Sequence, residues 1–202
     1  MGLLLIGLHG AVGAESRTIL VFGDSLSAGY GLAPEQGWVA LLEKRLRAQG
    51  YGYAVVNASI SGETTSGGLA RLPRALRLHR PALVVLELGA NDGLRGLPLA
   101  DARDNLAQMI ELCERAHARV LLLGIRLPPN YGPRYADEFA ALYPELAHRF
   151  RIPLVPFLLE GVALNPALMQ ADGLHPDAAG EPRVLDVLWP RLSPMLQRSS
   201  AH

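Results

Sequence analysis

Cysteine is almost absent from this sequence, since Cys113 is the only one among 202 residues. An intrachain disulfide is therefore impossible. The sequence also lacks a Cys/His cluster and the H-E-x-x-H pattern, so it offers no recognisable metal site. Apolar residues recur at helical spacing around Cys113. This pattern favours a buried small hydrophobe over a reactive thiol.

An excess of charge of either sign is also missing. Nineteen lysines and arginines are balanced by nineteen acidic residues, and Lys44 is the only lysine. The charges are scattered, which argues against a basic face for nucleic acid. Half of the residues are apolar and 19% are charged, as is typical of a globular protein with a substantial core. A monomer is the default expectation.

Long hydrophobic runs are lacking too. The apolar stretch in M-G-L-L-L-I-G-L-H-G-A-V-G-A is too short to span a bilayer, so stable membrane insertion is not expected. Small residues precede Glu15, as at a signal-peptidase site, although a basic n-region is missing. We predict a truncated signal peptide or disordered leader over residues 1–14 and one domain over 15–202, periplasmic or secreted. A frayed apolar terminus is the alternative.

The rest of the chain alternates between two kinds of segment. Apolar β-rich segments predict strands over 18–22, 53–57, 82–89, 119–125 and 153–157. Helices are predicted over 37–50, 66–78 with a bend or interruption at Pro73, 99–117, 133–150 and part of 176–197. This alternation predicts a parallel sheet covered on both faces. We therefore predict a three-layer α/β/α sandwich with five parallel strands, the proline-flanked fifth strand lying at an edge.

Polar or glycine-rich segments follow four of these strands. Ser25 lies in G-D-S-L-S, Gly62 in S-G-E-T-T and Asn91 in G-A-N-D-G, while Asp172 and His175 lie in D-G-L-H-P. Ligands of open parallel sheets bind beyond the carboxyl ends of the strands. We therefore expect all five residues to converge at one edge of the sheet.

Together these residue types match the requirements of nucleophilic acyl transfer. A serine needs an adjacent base, which His175 provides, and Asp172 lies close enough in sequence to orient that imidazole. The backbone N–H groups of Ser25 and Gly62 and the side-chain amide of Asn91 would form an oxyanion hole. The predicted reaction is acyl transfer from a small-molecule substrate through Ser25, and it needs no cofactor.

Other interpretations remain open at this point. Ser25 would also serve as a helix N-cap, and Asp92 competes with Asp172 as the acid. A nucleotide- or flavin-binding module of flavodoxin-like build is a second hypothesis, and a non-catalytic binding protein is a third. The second lacks both phosphate-loop patterns and leaves D-G-L-H unexplained.

The wall of an acyl-binding groove is the last feature predicted. Segment 126–135 leaves the fourth strand at the same edge of the sheet and is the candidate wall, with an ordinary connection as the alternative. The aromatic residues Trp38, Tyr131 and Tyr143 would line the groove or simply pack in the core.

The blocks G-D-S-L-S, S-G-E-T, G-A-N-D and D-G-L-H resemble those of the SGNH or GDSL hydrolases. The longer strings V-V-N-A-S-I-S-G-E-T and I-R-L-P-P-N-Y-G-P-R-Y are similar to the bacterial thioesterase I/lysophospholipase/arylesterase subgroup. The match runs from about residue 17 to about 195. It implies a flavodoxin-like fold, a metal-free hydrolase whose substrate is an acyl ester or thioester, Ser25 as nucleophile, and the Asp172–His175 pair as acid and base. It also implies Gly62 and Asn91 in the oxyanion hole.

Overall fold

A computed structural model describes residues 17–198, so the predicted leader over 1–14 lies outside the described residues. The strands are β1 Arg17–Gly23, β2 Tyr53–Asn57, β3 Leu83–Glu87, β4 Arg119–Leu123 and β5 Leu154–Val155. They form one parallel sheet in the order β2-β1-β3-β4-β5. This confirms the five-stranded parallel sheet and places β5 at an edge, although β5 is shorter than predicted.

Within residues 17–198, seven α-helices connect or follow the strands. They are α1 Ser25–Ala28, α2 Trp38–Ala48, α3 Thr65–His79, α4 Ala90–Leu94, α5 Leu99–Arg115, α6 Pro133–Phe150 and α7 Glu181–Leu192. The five longer helices correspond to the predicted ones. The single turns α1 and α4 were not predicted, because four or five residues are too few to show a helical period.

Two apolar layers hold the helices against the sheet. On one face α2 and α7 pack against alternate residues of β1 such as Ile19 and Val21. On the other face α3, α5 and α6 pack against the intervening residues, Leu20 and Phe22. Because successive side chains of a strand point to opposite faces, each buried strand serves both layers. The structure is the predicted three-layer α/β/α sandwich.

Burial explains two local outcomes. Cys113 is fully buried on α5, as predicted, and burial, together with nearby Glu114, raises the pKa of its thiol to about 12. Helix α3 continues through Pro73 and α6 through Pro144. Each proline removes one helical hydrogen bond, but the apolar faces of both helices remain packed in the core. Within residues 17–198, no helix is long and apolar enough to cross a bilayer.

Candidate active site

Ser25 lies immediately beyond the carboxyl end of β1. Asp24 is the N-cap of α1, and its Oδ1 accepts a hydrogen bond from the backbone N–H of Leu26 at 3.1 Å. Ser25 is the first residue of this helix, which ends after one turn at Gly29 in the left-handed conformation. Asp24 therefore provides the cap, and the hydroxyl of Ser25 is left available for another interaction.

His175 connects Ser25 to Asp172 by two short hydrogen bonds. The Nε2 atom of His175 lies 2.8 Å from Ser25 Oγ, across 150 residues of sequence. Its Nδ1 atom lies 2.6 Å from Asp172 Oδ2. The structure thus brings these three predicted residues into one continuous chain of contacts.

The carboxylate of Asp172 is held by its own loop. Its Oδ1 accepts hydrogen bonds from the backbone N–H groups of Leu174 at 2.9 Å and His175 at 3.1 Å. Desolvation acts to raise the pKa of Asp172, but the hydrogen bond to the His175 side chain and these two backbone bonds outweigh it and lower the pKa. The group is therefore ionised at neutral pH, which suits an acid that orients an imidazole.

A small hairpin presents the Asp172–His175 pair. Met169 and Pro176 form an antiparallel bridge at its base, and the backbone N–H of Gln170 donates to the His175 carbonyl at 2.8 Å. The Gln170 side chain donates to the carbonyls of Tyr30 at 2.7 Å and Pro176 at 2.9 Å. The ring of Tyr30 lies 4.7 Å from that of His175, centroid to centroid. These contacts fix the hairpin against the loop that follows α1.

Gly62 lies in the loop after β2 with a φ of +80°, a backbone conformation that residues other than glycine rarely adopt. Its carbonyl accepts a hydrogen bond at 2.9 Å from the guanidinium of Arg95, the C-cap of α4. The backbone N–H groups of Gly62 and Ser25 have no hydrogen-bond acceptor within the described part of the chain. Both N–H groups are therefore available to an incoming ligand.

Asn91 lines the same cavity as Ser25 and His175. Its Nδ2 atom lies 2.9 Å from the carbonyl of Glu63 and 3.2 Å from Asp24 Oδ2. Both amide hydrogens thus have acceptors already. Donation to a substrate oxygen would require one of these bonds to be shared or exchanged, and the longer bond to Asp24 is the weaker of the two.

Asp92, the competing candidate for the acid, has a different task. It is buried, and its two oxygens accept from the backbone N–H of Thr65 at 2.8 Å and from the Thr65 hydroxyl at 2.6 Å. Thr65 is the first residue of α3. Asp92 therefore ties α4 to the start of α3 and takes no part in the contacts with His175.

Sequence reasoning missed a buried pair of carboxyl groups beneath Ser25. Asp24 and Glu87 are both fully buried, and Glu87 Oε2 accepts from the Ser27 hydroxyl at 2.8 Å and from the Asp24 N–H at 3.3 Å. Burial raises the pKa of Asp24 to about 6, and burial together with the charge of Asp24 raises the pKa of Glu87 well above its usual value. The buried pair therefore resists carrying two negative charges at once. A glutamate within the apolar run V-V-L-E-L was the available signal, since unpaired glutamate is rarely buried.

An apolar cavity of about 530 Å³ opens beside Ser25 and His175. The first part of the predicted wall, residues 126–129, lines it, whereas residues 131–135 border a separate depression. A second wall comes from the segment after β5, which was not predicted: Phe157, Leu159, Ala163, Leu164 and Met169. Trp38 and Tyr143 are buried in the two cores instead. Tyr131 packs against the second core and donates to the Leu94 carbonyl.

Comparisons with known proteins give a matching family model and several relatives. Residues 21–182 match the family model described as the GDSL-like Lipase/Acylhydrolase family. The chain is 56% identical over 183 residues to esterase TesA of Pseudomonas aeruginosa, covering 91% of each protein. It is 45% identical over 187 residues to thioesterase 1/protease 1/lysophospholipase L1 of Escherichia coli K12, covering 93% of this chain and 88% of that one.

A solved structure of an esterase also resembles this chain. The psychrotrophic esterase EstA from Pseudoalteromonas, inhibited by monoethylphosphonate, superimposes with a TM-score of 0.85 at 40% identity. The match covers 89% of this chain and 98% of that one. The chain therefore belongs to the GDSL-like lipase/acylhydrolase family of serine hydrolases and, within it, to the thioesterase I subgroup of ester hydrolases.

Proposed function

We propose that this chain hydrolyses acyl esters and thioesters through an acyl-enzyme on Ser25, with His175 as base and Asp172 as the orienting acid. One observation carries the proposal: the unbroken contact chain from Ser25 Oγ through both nitrogens of His175 to Asp172, at the mouth of an apolar cavity. An apolar cavity suits an acyl chain, and the contact chain suits the activation of a weak nucleophile.

His175 accepts and returns the proton in each step of the proposed reaction. Ser25 Oγ attacks the substrate carbonyl while Nε2 of His175 takes the hydroxyl proton, and Asp172 stabilises the resulting imidazolium. The tetrahedral intermediate collapses, His175 protonates the departing alcohol or thiol, and the acyl group remains on Ser25. A water molecule then attacks this ester with His175 again as base, which releases the carboxylic acid and restores the serine.

Three donors would stabilise the oxyanion that forms at the substrate carbonyl. They are the free N–H groups of Ser25 and Gly62 and the side-chain amide of Asn91. Donors of this kind are each worth about 10²–10³ in turnover. Asn91 would share or release its bond to Asp24 when the oxyanion forms, because at 3.2 Å this bond is longer than the 2.9 Å bond to the Glu63 carbonyl.

The proposal is tested by labelling with a fluorophosphonate, which forms a bond to an activated serine. The wild-type protein is expected to be labelled and Ser25→Ala is not. Ser66→Ala, at an exposed position on α3, is the matched control and should be labelled like the wild type. Equal labelling of the Ser25 variant would refute the nucleophile assignment.

We also propose that the protein is exported to the periplasm or secreted, on the basis of the signal-like sequence over residues 1–14. Amino-terminal sequencing of the mature protein from the periplasm of the native host tests this. A start near Glu15 is expected. Retention of Met1 would defeat the proposal.

A further inference from the structure

The cavity beside Ser25 has one permanently charged side chain in its lining, that of Arg126. The rest of the lining is mostly aliphatic, apart from the catalytic groups. Within residues 17–198, no carboxylate lies within 4.0 Å of the Arg126 guanidinium. Arg126 is an exposed residue, so its charge is accessible both to solvent and to a ligand in the cavity.

The position of Arg126 along the cavity follows from the sheet. Ser25 follows β1 and Arg126 follows β4, with β3 as the only strand between them. Two strand intervals correspond to about 10 Å. An extended chain advances about 1.2 Å per bond, judged from the reach of the polypeptide backbone. We take this spacing of the strand ends as the distance from Ser25 to the Arg126 guanidinium, which corresponds to about eight bonds from the reacting carbonyl.

The guanidinium is held in place without being neutralised. It lies over the ring of Phe157, 5.3 Å from the ring centroid. Asp137 on α6 borders a neighbouring depression that Arg126 also lines, but the two form no ion pair. The ionisable groups of the catalytic site, Asp172 and His175, are committed to each other and to Ser25. The planar fork of an arginine binds a carboxylate through two parallel hydrogen bonds.

We propose that Arg126 forms a carboxylate subsite at the distal end of the acyl cavity. The substrates it favours are monoesters or monothioesters of dicarboxylic acids with about eight carbons. The inference rests on the proposed hydrolase function. In the reaction, one water molecule cleaves the ester bond and releases the dicarboxylic acid and the alcohol or thiol, while the distal carboxylate remains unchanged.

Esters that differ only at the far end of the chain test this proposal. The value of kcat/KM is measured for the mono-p-nitrophenyl ester of suberic acid and for p-nitrophenyl octanoate, which have the same chain length. The two esters also differ in apolar burial, so the informative quantity is the change in their ratio on mutation. Arg126→Gln removes the charge, and Arg134→Gln, an exposed arginine on α6 paired with Glu138, is the matched control.

The ratio of kcat/KM for the suberate ester to kcat/KM for the octanoate ester is expected to fall about fivefold in Arg126→Gln. This is the upper end of the effect of losing a solvent-exposed ion pair. The control should keep the wild-type ratio. Asp137→Asn should raise the ratio, because it removes a negative charge near Arg126. Esters of adipic and sebacic acid should show a smaller dependence on Arg126, since their carboxylates fall short of it or pass beyond it.

The outcomes separate this inference from the proposed function. If Arg126→Gln leaves the ratio unchanged while octanoate ester is still hydrolysed, the subsite is refuted and the hydrolase function stands. If the wild-type protein hydrolyses neither ester, the proposed function fails and the subsite fails with it. An unchanged melting temperature of Arg126→Gln establishes that the variant is folded.

Discussion

Glu181 is a buried carboxylate that joins two helices on the same face of the sheet. It is the first residue of α7, it is 2% exposed, and its Oε2 accepts a hydrogen bond of 2.6 Å from the backbone N–H of Trp38, the first residue of α2. Burial raises the pKa of Glu181 to about 7, opposed by the bond from Trp38 and reinforced by the charge of nearby Asp177. The folded protein therefore resists ionisation of this group.

The sign and size of the effect on stability follow from this pKa. The folded value lies above the reference value of 4.5, so the stabilising contribution is complete below pH 4.5 and is lost as the pH rises through 7. At about 1.4 kcal/mol for each pH unit between the two values, the loss amounts to about 3 kcal/mol. A glutamine keeps an oxygen for the Trp38 N–H but cannot ionise. The stability of Glu181→Gln relative to that of wild type should therefore increase as the pH rises.

Urea unfolding of both proteins at pH 4.5 and pH 8.5 measures this difference. The free energy of unfolding of Glu181→Gln minus that of wild type is expected to increase by about 3 kcal/mol between the two pH values. Using the difference cancels the titration of all other groups. Glu160→Gln, at an exposed position, is the control and should show no such increase. A pH-independent difference for Glu181→Gln would refute the reasoning.

Three further variants probe the active site. Glu87→Gln should gain stability relative to wild type as the pH rises above the reference value of 4.5, because burial and the charge of Asp24 raise the pKa of Glu87 and the amide cannot ionise; a loss seen by urea unfolding would contradict this. Asp172→Asn should lower kcat about 10³–10⁴-fold through the wrong tautomer of His175, and a p-nitrophenyl ester assay with an unchanged melting temperature would establish it. Asn91→Ala should reduce kcat about 10²–10³-fold with little change in KM, so an effect on KM alone would argue against an oxyanion role.

Most of the fold could be predicted because strand and helix periods are local properties. The buried strand at Leu83–Glu87 and the long helix at Leu99–Arg115 both match segments recognised from apolar patterning. The edge strand Leu154–Val155 was predicted longer than it is, since the flanking prolines cannot donate ladder hydrogen bonds. The order of the strands in the sheet could not be predicted in this way. It depends on packing between distant segments, which the apolar pattern of a single segment does not reveal.

The candidate site divides in the same way. Ser25 and His175 could be identified because each lies in a distinctive segment after a strand. The pairing of Asp24 with Glu87 could not, because it depends on the register that sets Gly23 opposite Glu87. The far wall of the cavity, including Phe157, also went unrecognised. Apolar residues after an edge strand resemble ordinary core residues until the cavity itself is known.

The hairpin closed by the bridge between Met169 and Pro176 has a consequence for how the site responds to motion. Because Asp172 and His175 lie on the same hairpin, a displacement of that hairpin carries acid and imidazole together and preserves their mutual orientation. The displacement is absorbed by the contacts that join the hairpin to the Ser25 segment, from His175 to Ser25 and from Gln170 to Tyr30. Thermal loosening would therefore uncouple the nucleophile first, leaving a correctly oriented base with nothing to deprotonate.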